Sequence, residues 1–200
     1  MNRTPKGCFG YIESARKAAI LRTAVAFLLC AGTFLAGRIV TGTNRNVFSI
    51  VAALLCLPFG VFAVNLVMFL RARPCSREAY EKIEAAKGLL LVLYDLTLTG
   101  RDVDFSIASA VAFDRQVLCY TEAEQTDETL FKNHVREQMA LSDYRELQIV
   151  LFRDADAYCE RLRELDDIRA AQGIDMQAEE DRWQPGTVQT MTGVLQSISL

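Results

Sequence analysis

Six cysteines are the residues of this chain whose chemistry depends most on their surroundings. They are scattered along the sequence, without a Cys-x-x-Cys pair: Cys8, Cys30, Cys56, Cys75, Cys119 and Cys159. This spacing favours neither a disulfide framework nor a zinc ribbon, and it is typical of free thiols in a reducing compartment. Cys75 follows an apolar run and could be acylated there, although a free thiol is the simpler interpretation.

The other residues with catalytic potential are few. His134 is the single histidine, beside the apolar face of a predicted helix, where packing is a more usual role than catalysis. Glu78, Glu81 and Glu84 share one helical face, and solvation is more usual than metal binding for such a row. The sequence contains no phosphate-binding glycine loop, no His-Glu-x-x-His and no Gly-x-Ser-x-Gly elbow. These residues therefore predict no cofactor and no metal.

The elements that position these residues begin with two apolar runs, residues 18–40 and 47–70. As helices, both are long enough to cross a hydrocarbon core of about 30 Å. Only residues 41–46 separate them, which predicts a tight turn between antiparallel transmembrane helices. A cleaved signal peptide is the alternative for the first run, and it is disfavoured by the long N-terminal region and by the second run.

Small residues recur along both runs at spacings of three and four. They are Ala26, Cys30, Thr33 and Gly37 in the first run, and Ser49, Ala53, Cys56, Gly60 and Ala63 in the second. Such stripes allow helix backbones to approach closely, and their seven-residue period favours a left-handed crossing. We expect these nine residues to form the interface between the two helices.

Charge divides the chain into two parts. Residues 1–75 carry a net charge of +8 and residues 76–200 a net charge of −11. The acidic part would repel phosphates, so no nucleic-acid partner is predicted, whereas the basic part suits a lipid bilayer with anionic headgroups. Basic residues flank the runs at Arg3, Lys6, Arg16, Lys17, Arg71, Arg73 and Arg77, and the turn contains only Arg45. This asymmetry predicts a multi-pass protein of the plasma membrane with both termini in the cytoplasm.

The remaining sequence predicts a small cytoplasmic α+β domain with the order β-β-β-α-β-α. Residues 1–17 form a basic cytoplasmic N-terminus, and residues 71–87 a juxtamembrane helix that follows the hairpin. The domain itself covers residues 88–169, and residues 170–200 form a linker and a C-terminal helix.

Two details of this domain depend on periodicity. In the first strand, alternation predicts Tyr94 and Leu96 on one face of the sheet and Asp95 on the other. At the C-terminus, helical spacing is followed by Val188, Met191, Leu195 and Ile198. A closing strand is the alternative for that segment.

The order of the predicted elements resembles the start of a ribonuclease-H-like fold. That resemblance implies Mg²⁺ held by carboxylates on the first strand, the first helix and the end of the fourth strand. The corresponding residues are Asp95, Glu128 or Glu137, and Asp154. No sequence motif supports the match, and Asp154 has an equally good role as a helix N-cap.

The wider arrangement offers a second resemblance. Two apolar runs around TGTNRN, followed by YDLTLTG, VAFDRQVLCYT and LQIVLF, resemble uncharacterised two-span membrane proteins of clostridial-type bacteria. The resemblance covers nearly the whole chain and implies the same hairpin and domain, without a function to transfer.

Three functional hypotheses follow. The leading one is a membrane-anchored cytoplasmic binding or regulatory module, which acts on a protein partner or forms a homo-oligomer. The others are a metal-dependent hydrolase and an accessory subunit of a membrane transporter.

Overall fold

The computed structural model describes residues 4–100, 103–184 and 189–199. The chain divides into two compact units, of which one is Ile12–Ala72. The other combines Met1–Tyr11 with Arg73–Leu200, so it contains the parts of the chain on both sides of the first unit. The predicted roles of Arg3 and Val188 fall outside the described residues.

Two long apolar helices, α1 (Tyr11–Thr41) and α2 (Val47–Arg71), form the first unit. At 1.5 Å per residue they extend over about 46 Å and about 37 Å, and both are long and apolar enough to cross a membrane. α1 begins earlier than the predicted span at residue 18. Asn46 ends the short turn and caps α2, because its side chain accepts a hydrogen bond from the Ser49 N–H at 2.8 Å.

The two helices contact each other in an antiparallel register. The hydroxyl of Thr23 donates a hydrogen bond to the carbonyl oxygen of Phe62 at 3.1 Å. At Gly37, an added Cβ would lie 2.4 Å from the Cβ of Phe48, so a larger residue would force the chains apart. Both contacts join positions that an antiparallel hairpin places opposite each other.

The residues predicted to form the helix interface are buried more consistently on α1 than on α2. The first-run residues Ala26, Cys30, Thr33 and Gly37 are all at least partly buried, as are Ser49 and Ala63 of α2. Ala53, Cys56 and Gly60 are instead exposed, and Ala52 occupies the buried position. Cys56 still contacts α1, because its sulfur atom lies 3.3 Å from that of Cys30, so it lies at the margin of the helix contact. Large side chains also fill the contact, as where the ring of Phe59 lies 5.8 Å from that of Phe27.

The second unit is built on a four-stranded mixed sheet. Its strands are β1 (Val92–Thr99), β2 (Asp104–Phe113), β3 (Gln116–Tyr120) and β4 (Gln148–Phe152), in the spatial order β1-β2-β3-β4. The first three are antiparallel neighbours, whereas β4 runs parallel to β3. Asp114 and Arg115, with φ of 47° and 57°, form the two-residue turn between β2 and β3. β1 and β4 are therefore the two edges of the sheet.

Helices cover both faces of this sheet. α4 (Glu128–Leu141) makes the crossover from β3 to the parallel β4 and packs on one face together with α7 (Met191–Ile198). α3 (Arg77–Ala86) and α5 (Ala155–Gln172) pack on the other face. The arrangement is a three-layer sandwich, which buries the apolar stripes of all four helices.

The segment from residue 170, predicted as a linker before a C-terminal helix, is more ordered than expected. α5 continues to Gln172, and a short helix α6 (Met176–Asp181) follows. Asp175 caps α6, and Met176 is buried against the α3 and α5 layer, so capping and one apolar contact offset the polar composition. α7 follows as predicted by the helical spacing, and Ser199 after it forms an isolated bridge with Leu98 of β1. The C-terminus thus combines the predicted helix with a strand-like contact.

Candidate functional site

β1 is irregular at Asp95, whose φ is 55° and whose side chain is only 1% exposed. Aspartate is one of the few residues that tolerate this left-handed conformation. The irregularity directs both Tyr94 and Asp95 toward the α3 and α5 layer, while Leu96 joins the opposite core. A matching irregularity at Ala108 and Ser109 of β2 keeps the two strands in register. The predicted grouping of Tyr94 with Leu96 is therefore wrong.

The segment 73–76, which follows the helical hairpin, is hydrogen-bonded to the sheet. Its main chain donates three times: Arg73 N to Ser106 Oγ (3.2 Å), Cys75 N to Asp95 Oδ1 (2.8 Å) and Ser76 N to Glu122 Oε2 (3.0 Å). The Ser76 hydroxyl donates to Glu122 Oε1 at 2.6 Å and accepts from the Ala79 N–H at 3.2 Å, which caps α3. Two carboxylates therefore hold the start of α3 against the sheet.

The segment before the hairpin binds at the same place. The Tyr94 N–H donates to the carbonyl oxygen of Gly7 at 2.7 Å. Gly7 has a φ of 85°, which glycine adopts without strain. The ring of Phe9 stacks on Tyr80 with centroids 4.1 Å apart, and Tyr80 in turn lies edge-on to Tyr94 at 5.1 Å. Consecutive residues of β1 thus bind the two segments that flank the hairpin.

We call this arrangement the connection site, and define it as Tyr94, Asp95 and Glu122 together with the main chain they bind at Gly7, Cys75 and Ser76. The C-terminus lies beside it. The Lys6 ammonium donates to the carbonyl oxygen of Ser199, and the Gln196 side chain donates to the carbonyl oxygen of Lys6. Together with the Leu98–Ser199 bridge, these bonds cover the outer edge of β1, which would otherwise be open to pairing with another chain.

Burial keeps two groups of the connection site, the Cys75 thiol and the Tyr94 hydroxyl, protonated. Burial, assisted by the nearby carboxylates of Glu122 and Asp95, raises the pKa of the Cys75 thiol to about 12. Burial and then a hydrogen bond to Glu84 raise the pKa of Tyr94 well above its ordinary value. Cys75 is 5% exposed. A buried neutral thiol is a poor nucleophile and a poor acylation site, so the geometry suits hydrogen bonding rather than covalent catalysis.

The structure does not bring the candidate hydrolase carboxylates together. Asp95 lies on β1 and Asp154 directly follows β4, at opposite edges of the sheet, three strand spacings or about 14 Å apart. Asp154 caps α5, since its carboxylate accepts from the N–H groups of Asp156 at 3.3 Å and Ala157 at 3.2 Å. The role as a helix cap is the one that the geometry supports.

The two candidates on α4 lie on the other side of the sheet from Asp95. Glu128 forms an ion pair with Lys132 at 2.7 Å, and Glu137 is exposed on the same helix. Within the described ranges, no group of three or more Asp, Glu, His or Cys side chains is placed to hold a metal ion. His134 is partly buried, with its ring 5.8 Å from that of Phe105, as expected for a packing residue.

Comparison with known proteins returns no matching family model, no significantly similar curated protein and no significantly similar solved structure.

Sequence reasoning missed several residues of this site. Glu122 follows β3 in a polar stretch and is 46 positions away from its partner Ser76. Gly7 lies in the N-terminal segment 1–17, for which the sequence predicted a basic charge and no contact with the sheet. Asp95 within an apolar strand could have indicated the site, because a buried charged residue requires a hydrogen-bonding partner from elsewhere in the chain.

Proposed function

We propose that this protein is a membrane-anchored module whose α/β unit faces the cytoplasm, binds a protein partner and relays that binding to the helical hairpin. The observation that carries the proposal is the connection site, where the α/β unit binds the segments on both sides of the hairpin. A hairpin that served only as an anchor would need no more than its covalent connection to the α/β unit. Here a buried carboxylate and an aromatic stack add specific contacts to both links.

The same observation supports a definite membrane topology. Residues 4–10 precede α1 and residues from 73 onward follow α2, and both belong to one compact unit. If α1 and α2 each cross the bilayer, the ends of the hairpin must emerge on the same side. The basic residues Arg16, Lys17, Arg71 and Arg73 near those ends favour the cytoplasmic side.

The partner is proposed to be a protein because of the character of the α/β unit. Its net negative charge disfavours nucleic acid. Among the carboxylates that were candidates for catalysis, Asp95 binds the main chain of Cys75, Asp154 caps a helix and Glu128 forms an ion pair. The ordered α/β unit therefore offers a surface to which a protein partner binds. Binding of that partner changes the conformation of the hairpin.

The test is co-purification with a chimera as the matched control. The full chain is solubilised from its native membrane in mild detergent and isolated by an affinity tag. A second chain has α1 and α2 replaced by an unrelated two-helix hairpin, with residues 1–11 and 73–200 retained. We expect one protein to co-purify in a stoichiometric amount with both chains, because the α/β unit is the binding element.

Two results would contradict the proposal. Absence of any stoichiometric partner from both preparations argues against a binding module. A partner that is retained by the native hairpin and lost from the chimera shows that the helices bind it, as an accessory subunit of a transporter would.

A further inference from the structure

Two cysteines face each other across the contact between α1 and α2. The sulfur atoms of Cys30 and Cys56 are 3.3 Å apart, which is van der Waals contact. A disulfide bond is about 2.05 Å long, so bond formation requires the sulfur atoms to approach by about 1.2 Å. The pair is therefore close to bonding distance in the reduced protein.

The position of the pair along the hairpin is set by contacts on both sides of it. On one side, Thr23 donates to the carbonyl oxygen of Phe62 at 3.1 Å. On the other side, Gly37 allows Phe48 to approach so closely that a Cβ at residue 37 would lie 2.4 Å from it. The cysteines thus lie between two fixed points of one continuous helix contact.

The surroundings of the pair decide which chemistry suits it. The two cysteines line an apolar groove of about 440 Å³, together with the rings of Phe27, Phe34 and Phe59. In such surroundings a metal dithiolate would place charge in a medium of low polarity, which is costly. A disulfide is neutral, and the open groove lets a lipid-soluble oxidant reach the sulfur atoms.

We propose that Cys30 and Cys56 form an oxidisable dithiol that a lipid-soluble hydroperoxide converts into a disulfide between the two helices. The sulfur of Cys56, the more exposed of the two, takes the terminal oxygen of the peroxide. The O–O bond breaks, an alcohol leaves with the thiol proton, and Cys56 becomes a sulfenic acid. The sulfur of Cys30 then bonds to that of Cys56, and the hydroxyl leaves as water with the second thiol proton.

The electron balance of this reaction is complete. The two thiols together lose two electrons and two protons, and the hydroperoxide is reduced to one alcohol and one water. The proposal depends on the helix contact alone, so its failure would leave the proposed binding function untouched.

The test uses the full chain in phospholipid vesicles, treated with cumene hydroperoxide as the apolar oxidant. The protein is then denatured in dodecyl sulfate and its free thiols are labelled with a polyethylene-glycol maleimide. The untreated chain has six reactive cysteines. We expect the treated chain to lose two of them and to regain both after reduction with dithiothreitol. Peptide mapping of the unreduced protein should show a peptide that contains both Cys30 and Cys56.

Three variants serve as controls. Cys30→Ser and Cys56→Ser should form no disulfide, whereas Cys8→Ser, which removes an exposed cysteine outside the hairpin, should still lose two thiols. A wild-type chain that keeps all its thiols after treatment would overturn the proposal. So would a disulfide that joins another pair, which peptide mapping identifies without any variant.

Discussion

At the scale of single residues, Asp95 combines burial, an unusual backbone conformation and a hydrogen bond to a distant segment of the α/β unit. It is buried in an edge strand, adopts a positive φ and accepts a hydrogen bond from the main chain of Cys75. Removal of that acceptor would leave a buried N–H without its partner, and such a loss costs about 1 to 3 kcal/mol. The residue therefore stabilises both the strand and the chain that enters α3.

We expect Asp95→Ala to lower the free energy of unfolding of the α/β unit by about 1 to 3 kcal/mol more than Asp114→Ala does. Asp114 also has a positive φ, of 47°, but it is exposed in a hairpin turn, so alanine suffers the same backbone strain there without loss of a buried hydrogen bond. Thermal unfolding of both variants in detergent, followed by far-ultraviolet circular dichroism, measures the difference. Equal destabilisation would show that the hydrogen bond to Cys75 contributes nothing.

At the scale of elements, the hairpin depends on one point of close approach. Gly37 is the position of α1 where an added methyl group meets the Cβ of Phe48 at 2.4 Å. Gly32 lies on the same helix, and a Cβ there has no neighbour within 4 Å among the described residues. Replacement of each glycine by alanine therefore distinguishes the effect of helix packing, which differs between the two positions, from the effect of helix propensity, which they share.

Gly37→Ala is expected to destabilise the hairpin by about 1 to 3 kcal/mol, because the extra methyl group overpacks the contact. Gly32→Ala is expected to be neutral or to stabilise the helix by up to about 1 kcal/mol. The measurement is unfolding of the full chain by dodecyl sulfate in mixed micelles, monitored by circular dichroism. If Gly32→Ala destabilises the protein as much as Gly37→Ala, the helix contact does not pass through Gly37.

At the scale of the whole molecule, the α/β unit contains both flanks of the hairpin. Residues 4–11 bind β1 and the C-terminal segment, while residues 73–76 bind β1, β2 and the loop after β3. If α1 and α2 cross a bilayer as proposed, the turn at residues 42–46 lies on the side opposite to both flanks. The topology can therefore be tested with two reporters.

We expect the native Cys8 to react with a membrane-impermeant maleimide only in inside-out vesicles, because it is exposed in the segment that joins the α/β unit. A Cys8→Ser, Asn44→Cys double variant should react only in intact, right-side-out cells, because Asn44 is exposed in the turn. Cys8→Ser alone is the control for the remaining thiols. Labelling of both reporters from the same side would refute the topology.

The sequence predicted those features that depend on local pattern. Apolar length indicated the two long helices, alternation and turn residues indicated the strands, and Asp154 was identified as a possible helix cap. Propensity, periodicity and capping act within a few residues, so they can be recognised in one sequence. Gly60 shows the limit of such patterns: it belongs to the small-residue stripe, yet it is exposed and a Cβ there would have no neighbour within 4 Å among the described residues. Small-residue spacing does not reveal which large side chains also enter a helix contact.

Only the tertiary structure determined which residues that are distant in the sequence are neighbours in space. It placed β1 and β4 at opposite edges of the sheet, which separated Asp95 from Asp154 and changed the interpretation of both. It also joined Gly7 and Cys75 to neighbouring residues of one strand, across sequence separations that no local pattern records. Strand order and the left-handed backbone at Asp95 result from the packing of the whole unit, and the connection site exists only because that packing brings distant segments together.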